Sequence, residues 1–317
     1  MISYAALVLA AAIWGLAFVA QRKGLESLDP FTFNALRFAL GAGCVWLLDL
    51  ANKSLSRKKK LRSDYQPDFP SVTRNLDRPL ILGLLLFSAS SLQQVGMLWT
   101  GAGQAGFITG LYVVIVPLIG LWKGQKMTRA MVLAVFLSVA GMYLMNHSQT
   151  PKASWGNLLV LIGALFWALH VRMIDRLAKL HPSLKLAWSQ YLVCAVCSLA
   201  GALIWRFLRL GGPDMFSALP QQIRSAILPI LYAGVMSVGV AFTLQLFAQK
   251  RVPPVPASVI LCSEGVFAML GGWLLLSESL TTRALAGAVL LLCAMLVSVL
   301  GGRMGIFLID KKRASQN

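Results

Sequence analysis

Ten runs of mostly apolar residues, each about 20 residues long, govern what this chain can fold into. They fall at roughly 3–21, 31–50, 79–99, 103–122, 128–146, 155–173, 184–207, 225–249, 254–276 and 281–303. At ~1.5 Å per residue, each is long enough to cross the ~30 Å hydrocarbon core of a bilayer. In that core the backbone finds no water, so a spanning segment must be a helix or part of a closed barrel. Barrel strands read as short alternating segments, and these runs are long and continuously apolar. The expected fold is an all-α membrane protein with ten transmembrane helices. Composition agrees: 57% of residues are hydrophobic and 13% charged, against about 25% charged in a soluble domain.

Charge then sets orientation. The residues before the first run, Met1-Ile2-Ser3-Tyr4, carry no base, so this run reads as a span rather than a signal peptide. With the N-terminus inside, the inner loops hold 21 Lys and Arg and the outer loops seven, with Arg37 inside the second run. That asymmetry places both termini in the cytoplasm, although Arg22 and Lys23 run against it. The expected location is the bacterial inner membrane, with the lipid bilayer as a partner and no nucleic acid. The net charge of +18 and the run Arg57-Lys-Lys-Lys-Leu-Arg62 fit a positive-inside anchor in the loop 51–78, near anionic lipid, better than a nucleic-acid patch.

The chain also reads as duplicated. "AAIWGLAFVAQRKGLESLDP" is echoed by "ALFWALHVRMIDRLAKLHP", which aligns Trp14 with Trp167 and Pro30 with Pro182. "LQQ" at 92–94 aligns with "LQL" at 244–246, and Gln125–Thr128 with Glu278–Thr281. Residues 1–146 and 155–303 then form two five-helix repeats, followed by a tail, 304–317. Five is odd, so the second repeat is inverted relative to the first, an arrangement common in secondary transporters. Pro117 interrupts the fourth run and Pro229 lies near the start of the eighth. Gly106 and Gly110 form a GxxxG step that permits close helix approach.

Three stretches resemble the EamA-type family of the drug/metabolite transporter superfamily. They are "AAIWGLAFVAQRKGLESLDPFTFNALRFALGA", "AGFITGLYVVIVPLIGLWKGQKMT" and "SVILCSEGVFAMLGGWLLLSESLTTRALAGAVLLLCAML". The resemblance spans nearly the whole chain, in order and spacing. The resemblance implies ten helices in inverted repeats and transport of small metabolites, often outward. It also implies a central cavity lined by helices 1–4 and 6–9, with helices 5 and 10 outside. One departure is Gly265, where the family often has proline after the acid of the ninth helix.

Glu264 is the foremost candidate. It lies about 8 residues, or ~12 Å, into the ninth run, near the bilayer middle. An ionised acid there costs on the order of 3 kcal/mol to insert, and its short stem cannot snorkel. It should face the bundle interior, protonated or paired, as a proton-coupling or substrate-binding group. The alternative is a neutral acid that bonds a neighbouring helix. Arg37 either contacts substrate or snorkels to anchor its helix. Amides within spans often glue helices together; Gln93 and Gln245, at matching repeat positions, are the preferred cavity-lining candidates among them, and Asn34 is a polar span residue of the same type. Trp14, Trp167 and Tyr112 could form an aromatic wall, because Trp14 and Trp167 lie too deep for an interfacial belt. His170 could titrate near neutral pH or simply be hydrogen-bonded. Glu278 is expected to cap the tenth helix with Thr281 and Thr282.

The five cysteines, including the CxxC at 194–197, read as packing residues with no disulfide and no metal. The sequence has no Walker loop, GxSxG or HExxH, so neither an enzyme nor a cofactor is expected. The reading is a secondary transporter of a small metabolite, amino-acid-like or related, moved outward by alternating access with possible proton coupling. The alternatives are a lipid or drug exporter, an intramembrane enzyme, or a structural subunit. A second copy of the chain is a candidate partner in a homodimer.

Overall fold

The structure is a computed structural model that describes residues 2–60, 77–100, 102–145, 155–211, 216–276 and 280–314. Glu278 and most of the basic loop 51–78 lie outside these residues. Among the described residues the regular structure is entirely helical. In chain order the helices are α1 (Ile2–Gly24), α2 (Pro30–Lys60), α3 (Asp77–Gly96), α4 (Ala102–Gly110), α5 (Tyr112–Trp122), α6 (Arg129–Met145), α7 (Trp155–Leu177) and α8 (Ser183–Leu210). They continue with α9 (Leu219–Ser225), α10 (Ile227–Leu231), a π-helix (Tyr232–Phe242), α11 (Thr243–Gln249), α12 (Pro254–Cys262), α13 (Glu264–Leu276) and α14 (Thr282–Ala314).

Nine stretches of the described residues are long and apolar enough to cross a membrane. Three of them are composite: α4 with α5, α10 through α11, and α12 with α13. The segment expected at 128–146 is the shorter helix α6, 17 residues, or about 25 Å of rise. Three of the helices start where a side chain satisfies free backbone N–H groups. The Asp29 carboxylate accepts from the Thr32 N–H at 2.8 Å and from its hydroxyl at 2.6 Å, which fixes the start of α2. Thr128 and Thr281 do the same for α6 and α14, accepting from Met131 N–H and Ala284 N–H.

Polar side chains are set into an otherwise apolar bundle interior, and the outside is oily. Gln94, His170, Gln190 and Gln249 are completely buried, while Phe136, Leu208 and Leu228 are largely exposed. A water-soluble monomer rarely presents so much contiguous apolar surface; hydrocarbon around the bundle accommodates it. The main packing partners are α2 with α8, α6 with α14, α3 with α7 and α8, and α1 with α13 and the π-helix. Glycine permits the closest approach. A Cβ on Gly15 would lie 2.6 Å from the Glu264 carbonyl oxygen, so α1 meets α13 backbone to backbone. Gly110 likewise faces Met142 and Cys262, which is the use the GxxxG step serves here.

Two breaks matter for the site. Pro117 lies inside α5, where it removes a backbone donor. The ninth span divides at Ser263, with Val266 N–H bonding the Ser263 carbonyl at 2.9 Å as the new helix begins. Gly265 therefore stands beside a break that forms without the family's proline. Glu264 is the first residue of α13 rather than a mid-helix position. A carboxylate is electrostatically favoured at a helix start.

Candidate functional site

One cavity in the middle of the bundle collects residues from α1, α2, α3, α4, α5, α7, the π-helix, α11, α12 and α13. The space between its lining atoms is about 540 Å³, but the centre of a water-sized body moves through only about 50 Å³ of it. That holds a few waters or a small ligand.

Seven of the nine sequence-chosen residues line this cavity: Glu264, Arg37, Gln93, Gln245, Trp14, Trp167 and Tyr112. Glu264 is 5% exposed and Arg37 3%. Both face the same space, yet no ion pair joins them among the described residues. An acid and a base therefore bound one narrow chamber with no ion pair between them.

Gln93 is the polar hub on one wall. Its Oε1 accepts from the Trp167 indole N–H at 2.9 Å, with a longer 3.4 Å contact from the Thr109 hydroxyl. Its Nε2 approaches Gln21 Oε1 at 3.4 Å. Gln245 is 1% exposed and its Oε1 has no protein partner, which leaves an acceptor for whatever enters.

The aromatic wall is organised by Phe242, at the C-terminal end of the π-helix. Its ring stacks on Trp167 (centroids 5.8 Å, interplanar angle 15°) and lies 4.6 Å from the Trp14 ring. The Trp14 indole donates to the Ser237 carbonyl at 3.2 Å, and the Tyr232 hydroxyl to the Ile13 carbonyl at 3.0 Å. These bonds tie α1 to the wide-turned segment. π-Helical turns are rare and concentrate at functional sites.

The other two chosen residues, Asn34 and His170, do not line the cavity. Asn34 lies one helical turn before Arg37, and its Oδ1 accepts from Arg37 Nε at 2.9 Å. It holds the guanidinium instead of touching the chamber. His170 lies behind the wall, edge-on to both Trp167 and Phe242, with Nε2 bonded to Gln190 Oε1 at 2.8 Å. The bond to Gln190 holds the imidazole in the contact between α7 and α8.

The sequence reading also overlooked several residues. Phe18, Gln21, Thr109, Val171, Ser237, Phe242 and Leu261 line the cavity too. Gln21 and Thr109 were detectable as polar residues within apolar runs; Phe242 carried no such mark. Arg37 is not the only base within a span, because Arg172 and Arg206 lie inside α7 and α8. Arg172, counted at first among loop bases, is 8% exposed. It donates to the Val116 carbonyl at 3.0 Å and to Gln125 Oε1 at 2.8 Å, clamping α7 to α5 next to the Pro117 break. Arg206 pairs with Asp29 at 3.1 Å at the opposite end of the bundle.

Comparison with known proteins gives a consistent result. The EamA-like transporter family matches twice, over residues 1–147 and 154–300. A protein of Archaeoglobus fulgidus named an uncharacterized transporter is 30% identical over 295 residues, covering 92% of this chain and 83% of its own. The uncharacterized transporter YoaV of Bacillus subtilis is 25% identical, covering 90% and 92%. A crystal structure of a protein 16% identical in sequence superposes with a TM-score of 0.72 over 95% of this chain and 98% of that one, a likeness of fold.

Proposed function

Because this chain belongs to the EamA-like transporter family, we propose that it is a secondary transporter that exports a small amino-acid-like metabolite by alternating access, with Glu264 as its proton-coupling group. The observation that carries this reading is the placement of Glu264: a buried carboxyl on the wall of a central cavity, at a helix break, with no ion-pair partner among the described residues. A carboxyl held this way can exchange a proton for a substrate group as access changes, without first breaking a structural pair. The chamber is too narrow for an amino-acid-sized ligand unless its walls part, as relative rocking of the two halves would allow.

In this proposal ten helices form two inverted repeats. The double family match supports it, as does the packing. Exchanging the halves turns the α3–α7 pair into the pair between the π-helix and α1, and leaves α2–α8 and α6–α14 each paired with itself. Thr128 and Thr281 begin the corresponding fifth and tenth helices. Both termini are placed in the cytoplasm of a bacterial inner-membrane protein by the loop charge. Export is the direction favoured by the family resemblance.

The test is reconstitution into liposomes with a panel of amino acids and related metabolites under an imposed pH gradient. The expected result is flux of at least one substrate that responds to the gradient, and loss of that response in Glu264→Gln. Equal flux and equal gradient response in the two proteins would refute coupling at Glu264. Flux of lipids or bulky drugs alone would refute the substrate class.

A further inference from the structure

Arg37 lacks the partner a buried cation ordinarily requires. A guanidinium stays charged at any physiological pH, and a desolvated charge is costly unless it is paired. Arg37 is 3% exposed. Its Nε donates to Asn34 Oδ1, and its guanidinium also lies 4.8 Å from the Phe38 ring centroid. No carboxylate pairs with it among the described residues, while its side chain lines the cavity. Asn34 itself is fully buried, and its Nδ2 donor has no protein partner.

The surroundings are equally rich in unused polar groups. Cys194 of α8 lies within electrostatic reach of Arg37 and 3.6 Å from the Ser90 hydroxyl of α3. One turn further along the same faces come Gln94, with both amide atoms unpartnered, and Ser198, whose hydroxyl lies beside the Cys194 thiol. The fixed charge among these groups is the guanidinium itself, which is positive.

We infer that Arg37, held by Asn34, is an anion seat within the cavity, built for a small carboxylate or an inorganic anion such as chloride. The planar guanidinium matches a carboxylate with two parallel N–H donors, while the Asn34 bond to Nε fixes its orientation. This deepens the transport reading: a carboxylate seated here would belong to the cargo and would lie across the chamber from Glu264. A seated chloride would instead be a resident counter-ion.

Full-length protein purified in detergent is titrated with sodium formate, formamide and sodium chloride. Ionic strength is kept constant with sodium gluconate, whose anion is too bulky for the chamber. Tryptophan emission, reporting from Trp14 and Trp167, and the melting temperature are read together. Saturable binding of formate or chloride is expected, with no response to formamide. Arg37→Gln should weaken binding at least ~10-fold, the loss of a charge-assisted contact, and Arg37→Lys should retain part of it. If Arg37→Gln does not fold, Arg37→Lys and Asn34→Ala carry the comparison, each binding more weakly than wild type. Binding of formate without chloride identifies the carboxylate source; binding of chloride at equal or greater strength identifies the inorganic ion. The inference is overturned if formamide acts like formate, if no anion saturates, or if the variants bind like wild type. Anion binding that fails while reconstituted flux persists removes the seat alone, whereas lost flux with intact binding removes the transport reading alone.

Discussion

Replacing Gly15 by alanine should separate α1 from α13 at the level of Glu264. An added Cβ would lie 2.5 Å from Phe267 Cβ, 2.6 Å from the Glu264 carbonyl oxygen and 2.7 Å from Ala268 N. Carbon atoms in favourable contact sit about 3.5–4.0 Å apart, so the helices must move apart by about 1 Å. Two of the three obstructing atoms belong to the backbone, so no side-chain rotation relieves the clash. Overpacking of this kind costs about 1–3 kcal/mol. Gly43 of α2 is the internal control, because a Cβ there meets nothing within 4 Å. In a helix interior alanine is favoured over glycine by about 0.5–1 kcal/mol. Both substitutions, chemically identical, share that gain, so they should differ by the overpacking cost alone, about 1–3 kcal/mol. Thermal denaturation in detergent, followed by size exclusion, would order them Gly43→Ala above wild type above Gly15→Ala. Reconstituted flux should fall in Gly15→Ala and be unchanged in Gly43→Ala. Equal melting of the two variants would show that the backbone contact beside Glu264 does not hold these helices together.

Three further outcomes follow from the same structure. Asp29→Ala removes the cap on α2 and the carboxylate that Arg206 meets at 3.1 Å, while Arg206 keeps its 3.1 Å bond to Gln222; a loss of about 2–4 kcal/mol is expected, visible as a drop in melting temperature. Trp167→Phe keeps the stack on Phe242 but deletes the 2.9 Å bond to Gln93. It should cost about 1 kcal/mol in stability, and Gln93→Leu made in that background should then cost less than Gln93→Leu made alone. His181, between α7 and α8, is held below its ordinary value of 6.5 by burial first and then by Arg78 and Lys185. The unfolded chain therefore takes up a proton more readily, so stability is full above pH ~6.5 and falls as pH drops below it. His181→Gln should flatten that part of a melting-temperature profile, and an unchanged slope would show that this imidazole is not the source.

Much of the site was legible because polarity is costly in hydrocarbon. Glu264, Arg37, Gln93 and Gln245 stand out in apolar runs, and all four reach the same cavity. The aromatic wall was half legible: Trp14 and Trp167 were too deep for an interfacial belt, whereas Phe242, the ring between them, resembles any other apolar residue of its run. Asn34 and His170 were drawn in by polarity alone, although their side chains are engaged by Arg37 and Gln190.

The sequence by itself determined the membrane-spanning helices, the polar residues committed to their interior, and the family to which the chain belongs. Run length against bilayer thickness and the cost of buried charge are local quantities, readable one segment at a time. Only the tertiary structure decided which faces converge, that the ninth span breaks at Ser263 immediately before Glu264, and that Arg172 clamps α7 to α5. These helices are apolar on nearly every side, so no amphipathic stripe distinguishes the face that meets lipid from the face that meets another helix. That choice rests on close packing between segments distant in sequence, as where Gly15 admits the Glu264 carbonyl.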